Sequence, residues 1–479
     1  VSLIDGPFPW LLLAVAVLSL AAVPVSRARS WFARSVPVAA GVALVVTVLA
    51  VFIVHQVPGL IGDATDEYPF VVNVIVFLGV AVAVVVGLSW GASRSWQRIV
   101  GVVAAVSMIA VAGDRLAIRY GYPPDLRALL GLDVRDARRF DPTRFPTVTT
   151  TPSSSAPDGR STVSPTSSAD DASDQTPDTV SDSGPDTVVS VEAPPRAGAP
   201  VPLERRWSTT STLAAKGQIY SGVDIPGTVS AFKARTAYVY LPPAYFATPR
   251  PALPVMVLLA GVPGQPKNWF DGLDTPAAAD AIAHAHKGLA PILVFADYTG
   301  GMTADKGCID STAGKIETYL TVDVPQFIQR TFGPDVGPAH WGIGGFSDGG
   351  TCAVTIGLRH PDRFGVIASF SCDLGPNDNG SVPGYVNKYL EGDARRYDDY
   401  DPIKLLQGRH YPDTTVLYLE AGTGERSKKD AAQRISDTAH ANHVRASLVT
   451  RKGGHNFTLW RHCVVDSMPW IAKELGLIE

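Results

Sequence analysis

Cysteine is scarce and unclustered in this chain. Only four occur in 479 residues: Cys308, Cys352, Cys372 and Cys463. None belongs to a Cys-x-x-Cys pair, so the spacing that builds structural zinc sites is missing. A charge surplus is missing as well. Lys and Arg total 41 against 45 Asp and Glu, for a net charge of −4. Without a basic excess, the chain lacks the electrostatic footprint of a nucleic-acid binder. Nothing in the pattern asks for a metal or a cofactor.

Charge is also missing from long stretches near the start. Residues 9–25, 36–57 and 70–90 contain no Asp, Glu, Lys or Arg, and residues 99–118 contain only Asp114 and Arg115. Each run approaches the ~20 residues that cross a bilayer core as a helix. Four in series differ from the single short apolar stretch of a cleavable signal peptide. The expectation is an all-α, four-helix transmembrane region over residues 1–120. Loop charges orient it. The first loop has Arg27, Arg29 and Arg34, the third has Arg94 and Arg98, and the second has Asp63, Asp66 and Glu67 with no Lys or Arg. Positive loops stay in the cytoplasm. The chain after the fourth span is therefore expected outside, as a multi-pass cell-membrane protein with an extracytoplasmic C-terminal domain. Asn73 is the one clearly polar residue deep in the third span. Anchoring, or lateral capture of a lipid, is thus a simpler role for the spans than transport.

Residues 121–200 read as a linker. From about Asp141 they are rich in Pro, Ser, Thr and Asp, and such a stretch cannot bury enough apolar area to offset its ordering entropy. Acidic residues favour an extended chain, so a tether reaching several nanometres is expected. Residues 201–479 differ again. Continuous apolar runs at 255–260 and 291–297 suit buried central strands, with further strands at 236–241, 364–371, 415–421 and 446–449. A helical pattern over 316–332 ends at Gly333-Pro334. Strands alternating with helices imply a mainly parallel sheet flanked by helices.

The most informative run is Gly345-Phe346-Ser347-Asp348-Gly349. This Gly-x-Ser-x-Gly follows a short strand at 340–344 and precedes a helix at 351–360. That is the context of the nucleophile elbow of α/β-hydrolases, which lifts a serine hydroxyl above the sheet edge. A serine needs a base, and the base needs an orienting acid. Among the histidines after Ser347, His455 sits in Gly453-Gly454-His455, directly after a strand and before the last helix. It is the expected base. Glu425, in the glycine turn after the strand at 415–421, is the first choice as acid, with Asp430 and Glu420 as rivals. The tetrahedral intermediate needs two backbone N–H donors. Asp348 and Val262 are expected to supply them, since Pro263 has no N–H. Trp269 and Trp460 either shape a substrate pocket or pack the core. Four cysteines in an exported domain permit two disulfides in three pairings, with buried thiols as the other reading.

These segments resemble the Putative esterase family of α/β-hydrolases, which includes esterase D-type enzymes, feruloyl esterases and actinobacterial mycolyltransferases. The resemblance covers residues 235–475. It rests on LLAGVPGQPKNW at 258–269, IETYLTVDVPQFI at 316–328, GGFSDGGTCA at 344–353 and GGHNFTLWR at 453–461. It implies Ser347 as nucleophile, His455 as base and the carboxylate of the glycine turn, here Glu425, as acid. The chain departs from the pattern at Ala260-Gly261, where many members have His-Gly or Asp-Gly, and at Asn456, where many have Asp. Cysteines in matching segments of exported relatives imply a Cys308–Cys352 disulfide. The spans, tether and esterase domain together resemble actinobacterial membrane esterases, some of which are thought to hydrolyse aminoacyl esters of phosphatidylglycerol. The expected activity is a serine esterase acting on an ester substrate, a lipid ester among the candidates. An acyltransferase and a non-catalytic scaffold are the alternatives.

Overall fold

Residues 95–120, 134–145, 188–196 and 199–479 are described in a computed structural model, the last range with breaks at 302–303 and 305–306, together with positions 80, 128 and 132. The first two expected spans lie outside the described residues, and of the third only position 80 is described. The fourth falls on α1 (Ser95–Tyr120). Among the described residues, no helix is long and apolar enough to cross a membrane. One face of α1 nevertheless exposes Ile99, Val102, Val103, Val106 and Ile109, while Ala104, Met108, Val111 and Asp114 are buried.

The strands run β1 (Arg138–Arg139), β2 (Val189–Val191), β3 (Gln218–Val223), β4 (Ala237–Leu241), β5 (Val255–Leu259), β6 (Ile292–Ala296), a small hairpin of β7 (Asp310–Ser311) and β8 (Gly314–Lys315), then β9 (Trp341–Phe346), β10 (Val366–Phe370), β11 (Val416–Gly422) and β12 (Arg445–Arg451). Ten of them form one sheet in the order β1-β3-β4-β6-β5-β9-β10-β11-β12-β2. From β6 through β12 all pairings are parallel, and β4 and β2 are antiparallel to their neighbours. Every residue of β5, β6, β9, β10 and β11 is buried. That explains the unbroken apolar runs, because a parallel strand is covered on both faces.

Two strands come from the stretch whose composition reads as linker. β1 pairs with β3 at one edge, and β2 pairs with β12 at the other. Their residues are exposed, and runs of two and three residues are too short to stand out as strands in the sequence. Phe140 and Phe145 follow β1 and pack against Tyr220 and Phe332.

The principal helices are α2 (Thr275–Ala285), α3 (Val324–Phe332), α4 (Asp348–Arg359), α5 (Val382–Tyr389), α6 (Arg426–Ala441) and α7 (Phe457–Glu474). α7 packs on α2, while α4 lies against β9 and β10 and α6 against β11 and β12. The helix expected over 316–332 is present with one irregularity. Tyr319–Asp323 forms a π turn ahead of α3, and Gly333, at φ +55°, ends α3.

Candidate active site

β9 ends at Phe346 and α4 begins at Asp348, so Ser347 alone makes the turn. It adopts φ 55°, ψ −127°, outside the regions an L-residue normally occupies. The neighbouring glycines permit this turn. A methyl group on Gly345 would meet the carbonyl of Gly349, and one on Gly349 would meet the carbonyls of Leu259 and Ala260. Ser347 N–H donates to Phe370 O at 2.8 Å, which ties the turn to the end of β10.

His455 lies in the turn between β12 and α7. Its Nε2 is 2.9 Å from Ser347 Oγ, and its Nδ1 is 2.7 Å from Glu425 Oε2. The structure therefore brings Ser347, His455 and Glu425 into one hydrogen-bonded chain. Glu425 is nearly buried, and its Oε1 accepts from Gly422 N–H at 2.7 Å and from Ser371 Oγ at 2.6 Å. The two rival acids are placed elsewhere. Glu420 is buried at the end of β11 and pairs with Arg451 on β12 and with Tyr418. Asp430 is exposed on α6.

The loop after β5 passes beside the nucleophile. A methyl group on Gly261 would come to 3.0 Å from Ser347 Cβ. Val262 and Asp348, the expected N–H donors, thus belong to the two segments that flank Ser347. Two residues that sequence reasoning missed hold those segments. The Tyr298 hydroxyl lies 2.9 Å from Ala260 O and 2.7 Å from Asp348 Oδ2, bridging them. One Arg235 nitrogen donates to Gly264 O, Asp297 Oδ1 and Thr299 Oγ1 at 3.0, 2.7 and 2.9 Å. The available signal was position: Asp297 and Tyr298 directly follow β6, at the same sheet edge as Ser347. A cavity of about 380 Å³ opens alongside Thr299, lined in part by Phe232, Lys233 and Lys315.

Trp269 is corrected as a substrate-binding candidate. It is 0% exposed and packs edge-on against Phe346 and Phe370, so it presents no surface to a substrate. Trp460 is 5% exposed and meets the His455 ring edge-to-face at 4.9 Å. Its Nε1 donates to Ser371 Oγ at 2.9 Å, so it braces the site from below. Ser371, the third residue that sequence reasoning missed, lies just beyond the end of β10 and is fully buried.

Cys308 and Cys352 form a disulfide with Cα atoms 5.6 Å apart. Cys372 and Cys463 are free and buried. Burial pushes the Cys372 thiol up to about 11 and the Cys463 thiol well above its ordinary value, so neither is a ready thiolate.

Residues 230–471 match the family described as Putative esterase. An uncharacterized protein of Corynebacterium glutamicum is 35% identical over 254 residues, 52% of this chain and 59% of that protein. The diacylglycerol acyltransferase/mycolyltransferase Ag85A of Mycobacterium ulcerans is 32% identical over 145 residues, 28% of this chain and 41% of that protein. The matches thus span less than two thirds of either relative. The structure of a ferulic acid esterase is similar at 17% identity with a TM-score of 0.47, covering 54% of this chain and 98% of that one.

Proposed function

The chain belongs to the Putative esterase family, and from that premise we propose that it is a serine carboxylic-ester hydrolase working through an acyl-enzyme. One observation carries the reading: Ser347 Oγ, His455 and Glu425 lie in unbroken hydrogen-bond contact, at 2.9 and 2.7 Å. His455 Nε2 takes the hydroxyl proton as Ser347 Oγ attacks the ester carbonyl carbon. The Val262 and Asp348 N–H groups receive the negative oxygen of the tetrahedral intermediate. Collapse breaks the bond to the alcohol, which leaves with the proton from His455. Water, deprotonated by His455, then attacks the acyl carbon, and the proton returns to Ser347 as the acid departs.

The proposed substrate is a lipid ester of the membrane or cell envelope, such as an aminoacyl-phosphatidylglycerol, met outside the cytoplasmic membrane. The apolar runs at 9–25, 36–57 and 70–90 and the exposed apolar face of α1 support a membrane anchor. The mycolyltransferase relative favours one second reading, in which a sugar or lipid alcohol replaces water as acceptor.

The test is lipid mass spectrometry on membranes incubated with the full chain or its Ser347→Ala variant. Loss of one ester-linked lipid with the intact protein alone supports hydrolysis. Reappearance of the acyl group on another alcohol supports transfer. Matching samples rule out a membrane-lipid substrate. Equal turnover of soluble esters by both proteins rules out Ser347 as nucleophile.

A further inference from the structure

We infer that Ser371 and Trp460 are positioning residues, which together fix where the protons sit in the His455–Glu425 couple. This rests on the esterase reading of that site. The argument is proton bookkeeping. An indole N–H only donates, so at 2.9 Å from Trp460 Nε1 the Ser371 oxygen must accept. The single hydroxyl proton of Ser371 is then directed at Glu425 Oε1, 2.6 Å away. The same oxygen receives Gly422 N–H at 2.7 Å. Two donors on Oε1 leave it no room for a proton of its own, and Oε2 faces His455 Nδ1 at 2.7 Å. The hydrogen of the neutral imidazole therefore resides on Nδ1. The lone pair of Nε2 is left pointing at Ser347 Oγ, which is the tautomer a general base requires.

The backbone supports the assignment. Ser371 sits at φ +56°, a left-handed conformation that glycine adopts without penalty and serine does not. Strain of this kind persists where surrounding structure imposes it, commonly at functional sites. Here the Ser371 N–H is pinned to Glu420 O at 2.8 Å. Ser371 is 0% exposed, so it touches no substrate and acts through Glu425. Trp460 is held in turn by stacking on Phe346 at 4.7 Å.

Other ionisable groups surround the couple. On α7, Cys463 hydrogen-bonds to Glu420, which pairs with Arg451. Cys372 adjoins Ser371, and Lys428 with Asp373 closes the start of α6. None of them is altered by substituting Ser371 or Trp460, so a change in pH dependence reads the lost hydroxyl or indole donor.

The decisive variant is Ser371→Gly in the full chain, because it deletes the hydroxyl while easing the backbone. Folding is thereby separated from positioning. Two readouts are compared with wild type: the low-field proton resonance of the His455 Nδ1–H, and the pH profile of kcat/KM for 4-nitrophenyl acetate. Removing one donor leaves the carboxylate less neutralised, so it holds the imidazolium more firmly. The acid limb is expected to move to higher pH, the proton resonance to shift, and kcat to fall about tenfold or more. Trp460→Phe, which frees the Ser371 hydroxyl to rotate, is expected to move both readouts the same way by less. An unchanged resonance and acid limb in Ser371→Gly overturns the inference. Absence of any Ser347-dependent turnover in wild type overturns the esterase reading instead, and the proton resonance still decides the positioning role.

Discussion

Cys308 and Cys352 bridge the loop after β6 to the first turns of α4, five residues beyond Ser347. The loop that carries Tyr298 and Arg235's partner Thr299 is thereby fastened to the helix that follows the nucleophile. The sequence separation is 44 residues, and closing such a loop is worth about 4 kcal/mol in the chain-entropy account. Reduction should lower the Tm by several degrees and expose two further thiols to a thiol reagent. Cys372 and Cys463 should stay unreactive in the folded protein, because both are buried. A Tm indifferent to reduction would show that the bridge adds nothing to stability.

The three carboxylates considered as the acid should separate cleanly. Glu425→Gln keeps the shape but loses the charge facing His455, and kcat is expected to fall about 10³- to 10⁴-fold. Asp430→Asn, on the exposed side of α6, should leave kcat within a factor of about two. Glu420→Gln breaks a buried pair with Arg451, so its main effect should be a lower Tm. Steady-state kinetics beside thermal melts distinguish the three. A fully active Glu425→Gln enzyme would remove Glu425 from the mechanism.

Glu317 gives the domain a pH-dependent tie. Burial acts to raise its carboxyl, but hydrogen bonds from His360 and Arg359, at 2.6 and 2.7 Å, outweigh it and hold the group below its ordinary value of 4.5. A depressed carboxylate contributes stability that is complete above its unfolded value and lost as pH falls through its folded value. The stability difference between wild type and Glu317→Gln should therefore be steady above about pH 5 and shrink below it. Urea titrations across that range check the sign, and a difference that widens on acidification contradicts it.

Trp269 tests the correction made for it. Filling the core between Phe346 and Phe370, it should cost about 3–5 kcal/mol when truncated to alanine. Trp269→Phe, which keeps most of the packing, should leave KM for a small ester near wild type. A KM that rises steeply while the Tm holds would return Trp269 to the substrate side.

The parts of this chain legible in sequence are those with strong local signals. Buried parallel strands announce themselves as apolar runs, and the strand–Gly-x-Ser-x-Gly–helix pattern marks the turn at Ser347. Local signals also placed His455 and Glu425 at strand ends, and the structure brings His455 to Ser347 and Glu425 to His455. What stayed hidden depends on neighbours in space. Glu425, Glu420 and Asp430 are alike in sequence. They diverge because Arg451 arrives beside Glu420 from β12, while Ser371 arrives beside Glu425 from β10. Trp269 and Trp460 are likewise equivalent as letters, and only their neighbours assign them: Phe346 and Phe370 for Trp269, His455 and Ser371 for Trp460. Ser371, Tyr298 and Arg235 carry no motif, and the exposed strands β1 and β2 are too short for a periodicity to stand out.

Those two edge strands limit how far the domain can roam. Arg138–Arg139 is stitched to one margin of the sheet and Val189–Val191 to the other. Only residues 121–137 remain to connect α1 with the sheet, a contour of no more than about 60 Å when fully stretched. On the membrane reading this is a short leash. It keeps Ser347 within a narrow working radius of the bilayer, where lipid headgroups are and most soluble esters are not.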